Sequence, residues 1–250
     1  MRKLSLAALG IAAYAVFLLA TIPASIVASR AANASGGAVQ LTDPRGTLWN
    51  GQARATVLAP GGVVVIDRVK WRFAPSALAA GHVAFDIVAA GRGVDATFTL
   101  GRGLSRWIVA AADARIDAAV IAALAPLLGA SHPEGTVTIA TSGLRVKDDG
   151  QARGKLTATW TGAALSLSEV RPLGQYSLEA TAEDGPAAFS VTTKEGALRI
   201  SGHGTYTAPA AISFTGEARG EGDQARALEP LLDLLGAKRP DGAREIRIQR

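Results

Sequence analysis

The residues of this chain best able to move a proton or hold a metal at neutral pH are its three histidines, His82, His132 and His203, and they stand far apart in sequence. His82 falls on the polar side of an alternating, strand-like segment. His132 sits in a turn whose second copy, later in the chain, carries Arg239 instead. His203 lies in Ser201-Gly202-His203-Gly204, where the glycines permit close backbone approach. No helical pattern follows to offer an amino terminus to a phosphate, so a bulge or strand crossing is expected there. Solvated histidine is the reading at His82 and His132. The acids Glu183 and Asp184, and Glu217, Glu221 and Asp223, sit in turn-like sequence and read as solubilising groups, not an acid/base pair.

No Gly-x-Ser-x-Gly elbow, His-Glu-x-x-His pair or Walker lysine loop occurs. The chain has no cysteine and no cluster of His, Asp or Glu at ligand spacing, which argues against a zinc site. The sequence therefore predicts no catalytic, cofactor-binding or metal-binding residue, no cofactor, and a protein that is not an enzyme. The tryptophans are the better landmarks. Trp49, Trp71 and Trp160 stand beside glycines in strand-like sequence and are expected in a sheet core; Trp107, between Arg106 and Ile108-Val109, is given the same structural role.

One long apolar stretch must position everything else. Leu4 to Ser29 holds no charged side chain and is bounded by Arg2 and Lys3 before it and Arg30 after it. At about 1.5 Å per residue, a helix of that length would exceed the ~30 Å hydrocarbon core of a bilayer. Pro23 lies near its far end, where a stop or kink costs little. The basic flank predicts a cytoplasmic amino terminus, with everything after Arg30 across the membrane. The rival is a cleaved signal peptide ending at Ala32-Asn33-Ala34, but Leu4 to Ile22 is longer than the usual apolar core of such peptides. On both readings the remainder is outside the cytoplasm.

Without cysteine, an exported domain has no disulfide staple and depends on its apolar core. The net charge of +5 invites a nucleic-acid reading. Setting aside Arg2, Lys3 and Arg30 leaves 23 basic residues against 21 acids, and these are mixed along the chain. A near-neutral domain with membrane-flanking charge accounts for the basicity, and no nucleic-acid partner is expected. The carboxyl-terminal Lys238, Arg239, Arg244, Arg247 and Arg250 read as a solvated basic tail.

Period-two alternation dominates beyond the linker. Val94, Ala96, Phe98 and Leu100 alternate with Asp95, Thr97 and Thr99, and Val83, Phe85, Ile87 and Ala89 repeat the pattern. Leu156 to Trp160, Tyr176 to Ala180, Ile212 to Phe214 and Ile246 to Ile248 do the same. Each predicts a half-buried strand. The breaks at Gly91-Arg92-Gly93, Asp148-Asp149-Gly150 and Glu183-Asp184-Gly185 suit hairpin turns, which favours an antiparallel sheet. Two stretches look helical: Ile116, Val120, Leu124 and Leu128, and Leu228, Leu231, Leu232 and Leu235. Pro126 and Pro230 shorten them, and Pro230 suits the first turn of its helix.

Leu127-Leu128-Gly129-Ala130-Ser131-His132-Pro133-Glu134-Gly135 recurs as Leu234-Leu235-Gly236-Ala237-Lys238-Arg239-Pro240-Asp241-Gly242, and Trp49-Asn50-Gly51 is echoed by Trp160-Thr161-Gly162. The order is the same in both halves, which predicts two tandem β-rich units. The expected fold is mainly β: an N-terminal transmembrane helix, then an elongated, twisted antiparallel β-sheet domain of two repeated units, each with a short Leu-rich helix. The boundaries are 1–30 for the cytoplasmic tip and anchor, 31–38 for a linker, 39–142 for the first unit and 143–250 for the second.

An anchor followed by Gly46-Thr47-Leu48-Trp49-Asn50-Gly51 and by Trp71-x-x-x-Pro75-x-x-Leu78 resembles protein N of the bacterial type II secretion system. Pro172-Leu173-Gly174-Gln175-Tyr176-Ser177-Leu178 and the closing Leu231-Leu232-x-x-Leu235-Gly236 to Asp241-Gly242 match the same family in the same order. The resemblance covers essentially the whole chain, and its motifs are structural. It implies an accessory, single-pass inner-membrane component with a periplasmic domain. Such a protein acts by contacts with other inner-membrane secretion subunits in the export of folded proteins across the outer membrane. The competing expectation is a membrane-anchored periplasmic β scaffold that handles lipids. A lipid groove needs apolar residues on both strand faces, whereas Asp95, Thr97, Thr99, Lys155, Thr157 and Thr159 make the second face polar.

Overall fold

Thirteen strands run in chain order across one sheet, each antiparallel to the next, in a computed structural model that describes residues 2–124, 131–207 and 211–249. Side chains are described from Gly10 onward, Ala12 excepted. The strands are β1 (Val39–Gly46), β2 (Asn50–Ala59), β3 (Gly62–Phe73), β4 (Val83–Gly91), β5 (Val94–Arg102), β6 (Arg106–Asp117) and β7 (Glu134–Lys147). They continue through β8 (Ala152–Ala164), β9 (Gly174–Gly185), β10 (Ala187–Gly196), β11 (Leu198–Thr207), β12 (Ala211–Gly220) and β13 (Arg244–Gln249). The helices are α1 (Arg2–Ala20), α2 (Ser25–Ala34), α3 (Ser76–Ala79), α4 (Ala118–Leu124) and α5 (Glu229–Leu235).

The alternating residues of the sequence become two continuous rows across the sheet. On one face Trp71, Ile87, Phe98, Ala112, Thr141, Leu156, Ala180, Phe189, Gly204, Phe214 and Ile248 are successive cross-strand partners. On the other, Gln52, Lys70, Val88, Thr97, Asp113, Ala140, Thr157, Glu179, Ser190, His203, Thr215 and Arg247 are joined in the same way. Because side chains alternate with period two, this register puts every apolar set on one side. Bulges in β1, and between β2 and β3, β5 and β6, and β7 and β8, adjust the phase so that this holds.

Two helices cover the ends of the apolar face. α2 lays Ala24 and Val27 over Ala53, Trp71, Phe85 and Ile87. At the far end, Leu228, Leu231 and Leu232 close over Tyr176, Leu198, Phe214 and Ile246, together with Val170 and Leu173 from the β8–β9 connection. Pro230 does occupy the first turn of α5, where its missing N–H costs nothing. α4 packs on β3, β6 and β7, and its Ala123 carbonyl accepts from Gly61 N at 3.1 Å. Ile116, expected in that helix, belongs instead to β6; Pro126, Leu127 and Leu128 lie outside the described residues.

The expected transmembrane helix over Leu4–Ser29 requires correction. The helical run breaks at Thr21–Ala24, and among the described residues no helix is long and apolar enough to cross a membrane. Pro23 supplies no N–H to continue α1, and the freed groups turn outward: Ala24 N donates to Gly46 O at 3.1 Å, and Ile22 O accepts from Leu48 N at 2.8 Å. Ala31–Ala34, expected in a linker, extend α2. Ser142, expected at a unit boundary, lies inside β7 and faces Ala111 on one side and Lys155 on the other.

Candidate interaction surfaces

The residues singled out for chemistry stay apart. His203 stands exposed in the polar row between Ser190 and Thr215, in regular register and with no bulge. Its flanking glycines have a packing reason: a Cβ on Gly202 would lie 2.5 Å from Phe214 Cζ, and one on Gly204 2.5 Å from Phe189 Cζ. Those two rings stack with centroids 5.9 Å apart, over a strip that no side chain occupies. His82 is in the turn between α3 and β4, not on a strand, with Nδ1 3.4 Å from Ala80 O. His132 is exposed in the turn before β7. Among the described residues no three His, Asp or Glu side chains gather as a metal site would require.

The tryptophans divide by what their ring N–H can reach. Trp71 is 5 % exposed and donates to Thr47 O and Leu48 O, at 3.2 and 3.1 Å. Trp49 is half-buried, donates to Leu19 O at 2.7 Å, and meets Phe73 edge-on with centroids 5.1 Å apart. Trp160 is half-buried too, with its N–H on Glu134 O at 3.0 Å. Each indole buries its body only as far as its polar edge finds a carbonyl. Trp107, expected in the core, is exposed, and Arg102 lies over its ring at 4.9 Å.

Three surfaces are left by this packing. The first is the corner where the α1–α2 turn meets the β1–β2 hairpin, held by Thr47, Leu48 and Trp49. From Gly10 to Ala20 the described side chains of α1 are exposed, including Ile11, Val16 and Phe17.

The second surface is the outward face of β1–β3. Arg68, Lys70 and Arg72 share it at alternate positions on β3, with Arg54 and Arg45 on the neighbouring strands. None of the five forms an ion pair with a described residue. Arg45, Lys70 and Arg72, with Asn50, Gln52 and Asp86, line a groove of about 530 Å³. All the ion pairs among the described residues involve positions at or beyond Arg102. There Arg102 grips Asp148 at 2.6 and 2.9 Å, and this hydrogen bonding holds the carboxyl below its ordinary range. Partial desolvation works against ionisation of Asp184, but Arg153 and Lys147 outweigh it and keep that carboxyl low as well.

The third surface is the pair of sheet edges. β1 and β13 are the outermost strands; the start of β13 is covered where Lys238 bridges Arg244 and Glu245 N donates to Ala237 O at 3.3 Å, which leaves its outer edge open from Ile246 onward among the described residues. Asp43, at φ 52°, and Pro44 interrupt β1, which limits indiscriminate strand addition. β13 is six residues long, and its exposed residues include Arg247 and Gln249.

The sequence reading missed Arg244. Expected in a solvated tail, its side chain is 4 % exposed and reaches Glu229 Oε2 at 2.7 Å and Asp233, both on α5. The glycine-, tryptophan- and leucine-rich motifs all fall at such joints. Leu173 is fully buried, with its N–H on Ala163 O at 2.7 Å, and Tyr176 donates its hydroxyl to Leu198 O at 3.0 Å. Burial pushes the Tyr176 phenol well above its ordinary value.

No curated protein and no solved structure matches this chain. The family model described as type II secretion system (T2SS), protein N, matches residues 37–247, from the residue pair before β1 through most of β13. A match of that extent, over the whole sheet and all its joints, makes the chain a member of the type II secretion system protein N family.

Proposed function

We propose that this secretion component is an accessory inner-membrane subunit that works by binding other inner-membrane secretion subunits, without turnover of its own. In this reading the apolar stretch that opens at Leu4, part of whose side chains lie outside the described residues, supplies the single membrane anchor, with its amino-terminal end cytoplasmic and the sheet in the periplasm. Its support is the helix surface from Gly10 to Ala20, which the domain leaves exposed, and the Arg2–Lys3 flank. The observation that carries the binding role is the open sheet: the outer edge of β1, the part of β13 beyond Glu245 and a polar outer face suit docking by strand addition or by charged contacts. The two halves, 39–142 and 143–250, act as tandem units of one scaffold.

Photocrosslinking residues placed at Gln40 and Arg247, both exposed on the edge strands, test it. In cells, either position should capture other inner-membrane secretion subunits. Deleting the gene should leave exoproteins folded in the periplasm and block their release. If deletion instead alters outer-membrane lipid composition while release continues, a lipid-handling scaffold replaces this reading.

A further inference from the structure

We propose that the end of the sheet beside α1 rests on the surface of an anionic phospholipid bilayer. Leu78 and Leu104 enter the acyl region, and Arg45, Lys70 and Arg72 face the phosphate headgroups. This rests on the proposed amino-terminal anchor and adds a second, peripheral contact to it.

Topology gathers the parts. In an antiparallel meander β1, β3 and β5 all finish at one end, so the connections after Gly46, Phe73 and Arg102 lie on the same side as the α1–α2 corner. Each connection presents apolar surface there. Trp49 binds the last turn of α1 and is only half-buried; Leu78 is 54 % exposed on α3, and Leu104 is fully exposed at its turn. Exposed leucines at loop tips gain nothing from water and much from an acyl layer. The far end of the sheet also exposes Val63 and Leu234. What singles out the near end is the helix and the cations.

Arg72 pairs with Asn50, at the start of β2, and Lys70 with Gln52, two residues further along. At about 3.3 Å per residue, Lys70 is roughly 7 Å beyond Arg72, inside the Debye length of about 8–10 Å at physiological salt. Arg45 faces Gln52 from β1, so the three cations surround one groove; Asp86, opposite Arg72, is its one acid, and the groove keeps a net positive charge within reach of a charged surface. They form no ion pair with a described residue, whereas most cations of the second half do. A surface of anionic headgroups supplies the missing charge, and Trp beside Arg and Lys is the usual composition of a membrane interface.

The chain has no cysteine, so single labels are unambiguous. In full-length protein reconstituted into phosphatidylcholine vesicles, with and without phosphatidylglycerol, an environment-sensitive fluorophore is attached at Leu104→Cys or, as control, at Thr157→Cys. Resistance to carbonate extraction scores α1 separately. The Leu104 probe should shift to the blue and be quenched by brominated acyl chains, more strongly with phosphatidylglycerol, while the Thr157 probe stays aqueous. R45Q/K70Q/R72Q should lower the bilayer-contacting fraction roughly tenfold or more at ~0.15 M salt, as expected for three cations near an anionic surface. An unquenched Leu104 probe in a carbonate-resistant protein would overturn the proposal. Quenching or burial that requires other secretion subunits and not anionic lipid would assign this end to a protein partner, and would also overturn it. Carbonate-extractable protein that still shows lipid-dependent quenching would remove the anchor and leave the surface contact standing.

Discussion

Gly202 and Gly216 face each other across β11 and β12, and the Phe214 ring lies over both. A Cβ on Gly202 would sit 2.5 Å from Phe214 Cζ and 2.7 Å from the Gly216 Cα, so backbone as well as ring must move to admit it. Gly202→Ala is expected to cost about 1–3 kcal/mol, the usual penalty of overpacking, although alanine is otherwise the better strand residue. Thermal unfolding of the full chain in detergent measures it. The same assay separates the tryptophans. Trp71 is buried against Ala53, Ala24 at the start of α2 and Val27 within it, so Trp71→Ala should cost about 3–5 kcal/mol. Trp49 keeps part of its ring in solvent and should cost clearly less. Its loss should instead loosen the α1 corner, read as faster proteolysis at Thr21–Ala24. Equal costs would mean that Trp49 is as much a core residue as Trp71.

At the scale of elements, the joint between α5 and β13 depends on a buried charge. Arg244 is enclosed while Glu229 and Asp233 remain largely solvated, and its Nε has no partner. Removing both carboxylates strands the guanidinium, so E229A/D233A should cost about 3–5 kcal/mol, whereas R244M keeps the volume, removes the charge and should stay within about 1 kcal/mol of the parent. Two surface carboxylates contribute to the acid side of the stability profile. Asp148 and Asp184 are held below their ordinary value of 3.8, so their stabilisation is complete above that pH and is lost as pH falls below it. Unfolding should therefore be insensitive to these two groups from pH 7 to about 5, and D148N/D184N should flatten only the acid side of the profile. Strands such as β4, β5 and β8 were legible in the sequence because a sheet with one apolar face imposes strict alternation. The succession Val63-Val64-Val65 hid β3, since two of the three valines point outward at a hairpin end. The helix break at Pro23 and the burial of Arg244 depend on partners more than ten residues away, which periodicity does not report. Arg68, Lys70 and Arg72 were visible as alternate cations, but a net charge taken over the whole chain averages them against acids that lie on other strands.

At the scale of the molecule, one hydrogen-bonded sheet joins two separate cores. Among the described residues, the carboxyl-terminal core contains eleven that are buried, from the β8–β9 connection, the neighbouring strands and α5 with the residue before it. The amino-terminal one has three, Ala24, Ala53 and Trp71, under α2. Between them, Phe98, Ala112, Ile139 and Leu156 are only half-buried, and a smaller set, Val94, Ile108, Ala118 and Ala122, is buried. Apolar burial is the main source of folding free energy, so stability is distributed unevenly along a continuous ladder. This supports the reading of the chain as two tandem units and gives it a test. Amide hydrogen exchange of the full chain should show β9–β12 most protected, with β1–β3, whose ladder carries two register shifts, opening at lower free energy. Trp71→Ala should then raise exchange in β1–β4 and leave β9–β12 within experimental error. A corresponding cavity in the other core, Leu231→Ala, should do the reverse. Uniform loss of protection over all thirteen strands from either variant would show a single cooperative unit instead, with the ladder through β5–β8 coupling the cores more tightly than their separate packing implies.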